Sequence, residues 1–385
     1  MSKRKVCVVI TARPSYSRIR SALFAIRNHP ELELQIVSAA SMLLDRYGQA
    51  VNHLEQDGFN IDARVFMVLE GENLVTSAKT TGLGLIELAT TFDNLRPDMV
   101  VTIADRYETM ATAVAATYMN IPLVHMQGGE VTGSIDEKVR HAITKLADIH
   151  LVTTEKAYER VVRMGEDPKR VFVTGCPSID IADEVYRHPG DKIDPFEKYG
   201  GVGATVDLTN GYLVVMQHPV TTEYANGRQQ ITETLYAIKE LGLPTLWFWP
   251  NVDAGSDSVS KGIRWFRETE NPTNIHFFKD IPPIDFLRMI NGSRCIIGNS
   301  SVAIRECSYL GLPAVNIGSR EAGRERGPNV VDVSYSRDEI EKAVIKSISG
   351  PRPERVNLYG DGHAGERIAN ILSTVELTYT KRLTY

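Results

Sequence analysis

Three carboxylates, Asp105, Glu130 and Asp136, offer the proton chemistry in this chain. Asp105 follows the apolar run Asp98–Ile103, and Glu130 follows the run Ile121–Met126 across the paired glycines Gly128 and Gly129. Beyond the glycines, Ile135, Val139, Ile143 and Leu146 recur at helical spacing, so Asp136 falls in a first helical turn, with Ser134 and Glu137 spaced as a capping box. Carboxylates on neighbouring strand ends suit proton removal and return when their surroundings push their pKa values apart. Gln127, Arg140 and His141 crowd the same loop and helix start, more polar function than a turn requires. The plainer alternatives are that Asp136 and Glu137 complement the helix dipole, that Asp105 caps the next helix, and that the glycines only turn the chain. Metal binding is the competing use of such a cluster, but no histidine or cysteine spacing supports it.

A second set of residues suits an anion. Arg13 lies with serines in the first strand-to-helix turn, Thr11 to Arg18, where helix-start donors favour negative charge. That turn lacks the GxGxxG pattern, which disfavours a nicotinamide enzyme. Arg106 adjoins Asp105, and His218 follows a strand ahead of Pro219. Asn251, in the stretch Trp249 to Ser256, can offer an amide to a ligand or simply turn the chain. Gly298-Asn299-Ser300-Ser301 reads as strand, small polar turn and helix, a diphosphate cradle with Glu306 one turn further in for ribose hydroxyls. Arg320, Arg324 and Arg326 then occupy a glycine-punctuated loop placed to close over phosphates.

These residues need strand ends to hold them. Strands are expected at Lys5–Thr11, Leu34–Ala39, Asp98–Ile103, Ile121–Met126, Ile149–Thr153 and Val171–Thr174. The second half repeats the alternation at Tyr212–Gln217, Thr245–Trp249, Ile275–Phe278, Cys295–Gly298, Ala314–Ile317 and Val330–Val333. Strands alternating with helices predict parallel sheets covered on both faces. The breakers from His188 to Gly203 mark a linker. The expected architecture is therefore α/β, with two doubly wound Rossmann-like domains, 1–185 and 205–362, facing across a cleft. A terminal helix within about 363–385 is expected to pack back on the first domain.

The chain has 385 residues, 43% hydrophobic and 24% charged, which fits a soluble globular protein of two domains. A net charge of −5 argues against a nucleic-acid partner, and no apolar run approaches a membrane span. Cys7, Cys176, Cys295 and Cys307 are scattered, with no zinc spacing, and the amino-terminal apolar run is too short for a signal peptide. A cytoplasmic protein with reduced thiols is expected.

Taken together, Asp105-Arg106, Gly128-Gly129-Glu130, Gly133 to Asp136, Arg140-His141-Ala142, Gln217 to Thr222, Pro250 to Ser256 and Gly298 to Ser301 resemble the hydrolysing UDP-N-acetylglucosamine 2-epimerases of sialic-acid-type sugar biosynthesis. The likeness runs from Arg13 to the helix near Arg367. It implies a fold of the glycosyltransferase-B type that binds a UDP-sugar between its domains and needs no metal, nicotinamide or other cofactor. It assigns nucleotide contacts to Arg13, Ser17, Arg106, His218, Asn251, Ser300, Ser301, Glu306 and Arg320, with Phe278 and Gln127 also on the substrate. Catalytic roles fall to Asp105 and Asp136, joined by Glu130, Arg140 and His218. Many members read His-Ile-Glu-Gly-Gly-Glu where this chain has His125-Met126-Gln127-Gly128-Gly129-Glu130, so a glutamate usually given a proton-transfer role is an amide here. The expected activity is conversion of UDP-N-acetylglucosamine to UDP and free N-acetylmannosamine by a homo-oligomer, dimer or tetramer. The alternatives are the same reaction on UDP-N,N'-diacetylbacillosamine, a glycosyltransferase of the same fold, and a silent nucleotide-sugar-binding protein.

Overall fold

Apolar runs such as Met99–Ile103 and Leu213–Met216 are buried along their whole length, as expected of parallel strands covered on both faces. The computed structural model describes residues 3–45, 49–71, 73–132, 135–190, 193–250 and 255–384. Seven parallel strands form the first sheet: β1 (Arg4–Ile10), β2 (Leu32–Ala39), β3 (Ala63–Val65), β4 (Met99–Ile103), β5 (Leu123–Met126), β6 (Ile149–Val152) and β7 (Val171–Val173). Their order is β3-β2-β1-β4-β5-β6-β7. The second sheet holds β8 (Val202–Gly203), β9 (Leu213–Met216), β10 (Thr245–Phe248), β11 (Ile275–Phe278), β12 (Cys295–Gly298), β13 (Ala314–Ile317) and β14 (Val330–Val333), in the order β14-β13-β12-β9-β10-β11-β8. Only β8 is antiparallel among these strands, on the edge against β11.

Strand order reverses between β1 and β4 in one sheet and between β9 and β12 in the other. Connections leave these neighbours in opposite directions, which opens a crevice at their carboxyl ends, the usual ligand position in such sheets. Asp105 follows β4, and His218 and Asn299 follow β9 and β12.

The expected linker is more structured than its breakers imply. Asp194 caps the short helix Pro195–Tyr199 through the N–H groups of Phe196 and Glu197, at 2.8 and 3.2 Å, and Val202 then pairs with Phe277. One compact unit comprises Met1–Glu130, Ile135–Asp180 and Tyr359–Tyr385; the other comprises Val131–Ser134 and Ile181–Leu358. The helix Ala364–Thr374 completes the first unit. Ile368 and Leu372 are buried among Val6, Ile10, Leu23 and Ile26, each stabilising by roughly 1.5–3 kcal/mol. Asp180 accepts the helix's leading Ala364 and Gly365 N–H groups at 2.9 and 2.8 Å. At its far end Arg4 donates to the Leu372 and Val375 carbonyls. Among the described residues no helix is long and apolar enough to cross a membrane.

Candidate functional site

In the first unit, β4 ends in a tight turn at Ala104, whose φ is 63°. The following helix is Thr109–Tyr118, with Glu108 at its N-cap position, so Asp105 is not a cap and its carboxylate serves another purpose. That purpose is an ion pair with Arg140, which is only 1% exposed. Arg140 lies one turn into the helix Asp136–Leu146; its Nη1 donates to the Glu130 carbonyl at 2.8 Å and lies 3.5 Å from Glu137 Oε2. One guanidinium thus ties the end of β4 to the glycine loop after β5. Glu130 is buried, and its Oε1 accepts from Thr153 Oγ1 at the end of β6, at 2.8 Å. Asp136 is half-buried in the first turn, four residues before Arg140 and so on its face, where the helix dipole favours a carboxylate. Glu137 pairs with His141 Nε2 at 2.9 Å, while the expected cap Ser134 lies outside the described residues.

The glycine loop has a steric reason. Gly129 has φ 74°, and a Cβ there would lie 2.2 Å from the Ala157 carbonyl oxygen, so only glycine lets the chain pass. Gln127, 1% exposed, has a left-handed backbone, φ 64°. Its Nε2 donates to Cys176 Sγ at 3.2 Å, and its Oε1 is buried with no protein partner among the described residues. All four cysteines are buried.

His125 binds the site's elements from beneath. Its Nε2 donates to the Ala104 carbonyl at 2.9 Å, and its Nδ1 accepts from Thr144 Oγ1, on the Arg140 helix, at 3.1 Å. Burial lowers its pKa from 6.5 to about 3, so the ring is neutral in the folded protein. The unfolded chain binds that proton near pH 6.5 and the folded chain does not. His125's contribution is therefore complete above pH 6.5 and falls by about 1.4 kcal/mol per pH unit as pH drops towards 3. Urea midpoints at pH 7 and pH 5 should differ less in His125→Asn than in the parent; an unchanged difference would refute this.

Arg106 donates to Glu108, fully buried two residues on, with Nη2 to Oε1 at 2.9 Å. Arg13 and Ser17 stand at opposite ends of the short helix Arg13–Ser17, both half-buried. The helix is held by Tyr16, which donates to Asp57; Asp57 also accepts from Arg20 at 2.7 and 2.8 Å.

In the second unit the organising contact is between Asn299 and the backbone of His218. Asn299 Oδ1 accepts from the His218 N–H at 2.7 Å and its Nδ2 donates to the His218 carbonyl at 2.9 Å. This clasp joins the carboxyl ends of β12 and β9, and His218 is buried within it. Gly298 permits the approach: its φ is 131° and a Cβ would lie 2.1 Å from the Met216 carbonyl oxygen. Ser300, Ser301 and Glu306 are buried just beyond. The expected single helix is instead a 3-10 turn, Ser301–Ala303, and a separate helix, Glu306–Leu310, broken at Arg305.

The arginine loop is internally compensated. Arg320 Nη1 donates to the Asn299 carbonyl at 3.1 Å and to Glu321 Oε1 at 2.6 Å; Arg324 pairs with Glu321 at 3.0 Å. Arg326 donates to Asp332 at 2.8 and 2.9 Å, which ties the end of this loop to β14. Glu223, in the loop after β9, accepts from Ser319 and so fastens this loop at its base. The Phe278 ring is buried against Phe248 and His276, and its carbonyl accepts from Trp249 N–H at 3.0 Å; the ring is a core element. Asn251 lies outside the described residues.

Sequence reasoning missed Glu108, Thr153 and Glu321, and it named Asn299 within the cradle without its clasp on His218. Thr153 and Asn299 stand at strand ends, the same signal that singled out Asp105; Glu108 and Glu321 sit beside arginines already noted.

The chain matches the model of the family described as UDP-N-acetylglucosamine 2-epimerase over residues 24–373. It is 32% identical over 375 residues to a UDP-N,N'-diacetylbacillosamine 2-epimerase (hydrolyzing) of Legionella pneumophila, covering 97% of each chain. It is also 32% identical over 362 residues to the polysialic acid biosynthesis protein P7 of Escherichia coli, covering 90% of each. The fold is shared with the crystal structure of UDP-GlcNAc 2-epimerase from Neisseria meningitidis bound to UDP-GlcNAc, at a TM-score of 0.78 and 18% identity over 96% of this chain and 99% of that one. Two mainly parallel seven-stranded sheets of this kind place the fold with the glycosyltransferase-B-like 2-epimerases. By the extent of these matches, this chain belongs to the UDP-N-acetylglucosamine 2-epimerase family.

Proposed function

We propose that the protein is a hydrolysing 2-epimerase that converts UDP-N-acetylglucosamine and water to UDP and free N-acetylmannosamine. The observation that carries this reading is the grouping of Asp105, Glu130 and the Asp136 helix around the buried Arg140. In the first half-reaction the C1–O bond breaks, UDP leaves with the electron pair, and a base takes the C2 proton, giving a 2-acetamidoglycal. In the second, water adds its oxygen to C1 while C2 receives a proton on the opposite face, which inverts that centre. No carbonyl flanks C2, so its proton is not acidic and C1–O cleavage runs ahead of proton loss. Asp136 is our choice of base, because the amide of Gln127 cannot accept a proton near neutral pH. Arg13, Ser17, Arg106, His218, Asn251, Ser300, Ser301 and Arg320 are proposed to hold the nucleotide and meet its departing charge, with Glu306 on the ribose. Phe278 is proposed to contact the substrate through its main chain, since its ring is in the core.

Incubation of the purified protein with UDP-N-acetylglucosamine alone, followed by NMR, tests this: UDP and a free manno-configured sugar are expected. A glycosyltransferase would be inert without an acceptor. A second reading, the same reaction on UDP-N,N'-diacetylbacillosamine, is favoured by the Legionella pneumophila relative. A kcat/KM larger for the 4-acetamido substrate would select it. The nucleotide contacts are tested separately. Ser301→Ala and Glu306→Ala should each weaken UDP by about 1–2 kcal/mol, a ~5–30-fold rise in Kd. Unchanged calorimetric affinity in both would remove them from the nucleotide site.

A further inference from the structure

The carboxyl-terminal residues hold the far end of the helix that carries Arg140. Beyond Thr374 the described chain has no helix or strand, yet Lys381 is fixed by three partners. Its Nζ donates to the Thr144 and Ala147 carbonyls at 3.0 and 2.6 Å and pairs with Glu166 Oε2 at 2.6 Å. Those carbonyls belong to the end of the helix Asp136–Leu146, where helix carbonyls lack internal partners and a cation is favoured. Glu166, 2% exposed, also accepts from Lys145 at 2.5 Å and from His150 Nε2 at 3.0 Å. Burial alone would raise its pKa; the bonds from His150, Lys145 and Lys381 overcome this and hold it at about 2. Thr384 adds N–H and hydroxyl bonds to the Gly165 carbonyl, at 3.1 and 3.3 Å.

From this anchor a continuous path leads to the candidate site. Thr144, whose carbonyl Lys381 holds, donates through its hydroxyl to His125, and His125 donates to Ala104, the residue before Asp105. The same helix presents Arg140 to Asp105 and to the Glu130 carbonyl. We propose that Lys381 is a positioning residue: by latching the chain terminus onto the end of the Asp136–Leu146 helix, it sets the alignment of Arg140 and Asp136 with Asp105. These contacts of Lys381 and Thr384 are all with residues of the first unit, so binding of UDP by the proposed ligands of the second unit and alignment of the carboxylates should separate when the latch is broken.

The activity arm of the test rests on the proposed reaction; hydrogen exchange does not. Lys381→Met and a chain ending at Thr380 should lose at least about 10-fold in kcat, since small misplacements of catalytic groups cost up to ~10²-fold. KM and the calorimetric Kd for UDP should stay within about threefold, while amide exchange across Asp136–Leu146 and the Ala104 turn speeds up; Lys381→Arg should recover most of the loss. Thr144→Val is the second variant. It cuts the link to His125 but leaves the carbonyl that Lys381 holds, and it too should lower kcat with UDP affinity retained. A kcat within twofold of the parent in folded Lys381→Met or in Thr144→Val overturns the proposal. If the parent itself releases no UDP from either sugar, the proposed reaction fails, and exchange decides the latch: rates unchanged by Lys381→Met overturn it, and local acceleration supports it.

Discussion

Asp136→Asn is expected to turn over UDP-N-acetylglucosamine at least about 10²-fold more slowly than the parent, and up to ~10⁴-fold, the range contributed by a positioned general base. The substitution keeps size and shape, and the helix-dipole share of what it removes from the first helical turn is only about 0.3–1 kcal/mol at a half-buried site. UDP affinity should be unchanged, because the proposed nucleotide ligands beyond β9 and β12 lie elsewhere in the chain. Glu130→Gln should cost less, since this carboxylate is buried and already accepts from Thr153. Gln127→Ala should weaken substrate binding more than turnover, through loss of hydrogen bonding to the sugar. Steady-state kinetics on the three variants, with UDP titrations alongside, make the comparison. If Asp136→Asn works within a few-fold of the parent while Gln127→Ala is dead, the base has been assigned to the wrong residue.

Arg140→Met should be the most damaging single change to stability in the candidate site. Asp105 would keep its buried position and lose its countercharge, and the Glu130 carbonyl would lose its donor. Removing one partner of a buried ion pair costs about 3–5 kcal/mol, because the stranded charge retains its desolvation penalty. For a unit of this size that is a fall in Tm of roughly 6–20 °C. Asp105→Asn with Arg140→Met should regain part of the loss, since the second change removes the stranded charge and contacting residues are not additive. Thermal unfolding followed by circular dichroism reads both. A fall of under about 2 °C for Arg140→Met would mean that the pair does not hold the strand ends together.

The sheets were legible wherever a strand is a short, mainly apolar run set off by helical stretches: Ile275–Phe278, Cys295–Gly298, Ala314–Ile317 and Val330–Val333 stand where the sequence pattern placed them. β3 and β8 were not, because Ala63–Val65 carries too few residues for a pattern and Val202–Gly203 lies among breakers. Strand-end logic located Asp105, Glu130 and His218 because it needs only the order of elements along the chain. It could not supply their partners. Asn299 reaches His218 across 81 positions and Thr153 reaches Glu130 across 23, and neither pairing leaves a local trace. The helix break at Arg305 was likewise hidden, since Ser301 to Leu310 contains neither glycine nor proline.

The discontinuity of the first unit bears on the order in which the molecule is made. The ribosome delivers β1 to β7 early, but Ile368, Ala369 and Leu372, which fill the same core as Val6 and Leu23, emerge only after the whole of the second unit. Until then the nascent first sheet exposes the apolar groove that these side chains cover. The second unit, contiguous apart from the short segment Val131–Ser134, meets no comparable wait. Vectorial synthesis therefore favours the later-born half as the first to finish, with the first unit completed only once the helix Ala364–Thr374 has emerged and docked against β1 and the residues around Leu23.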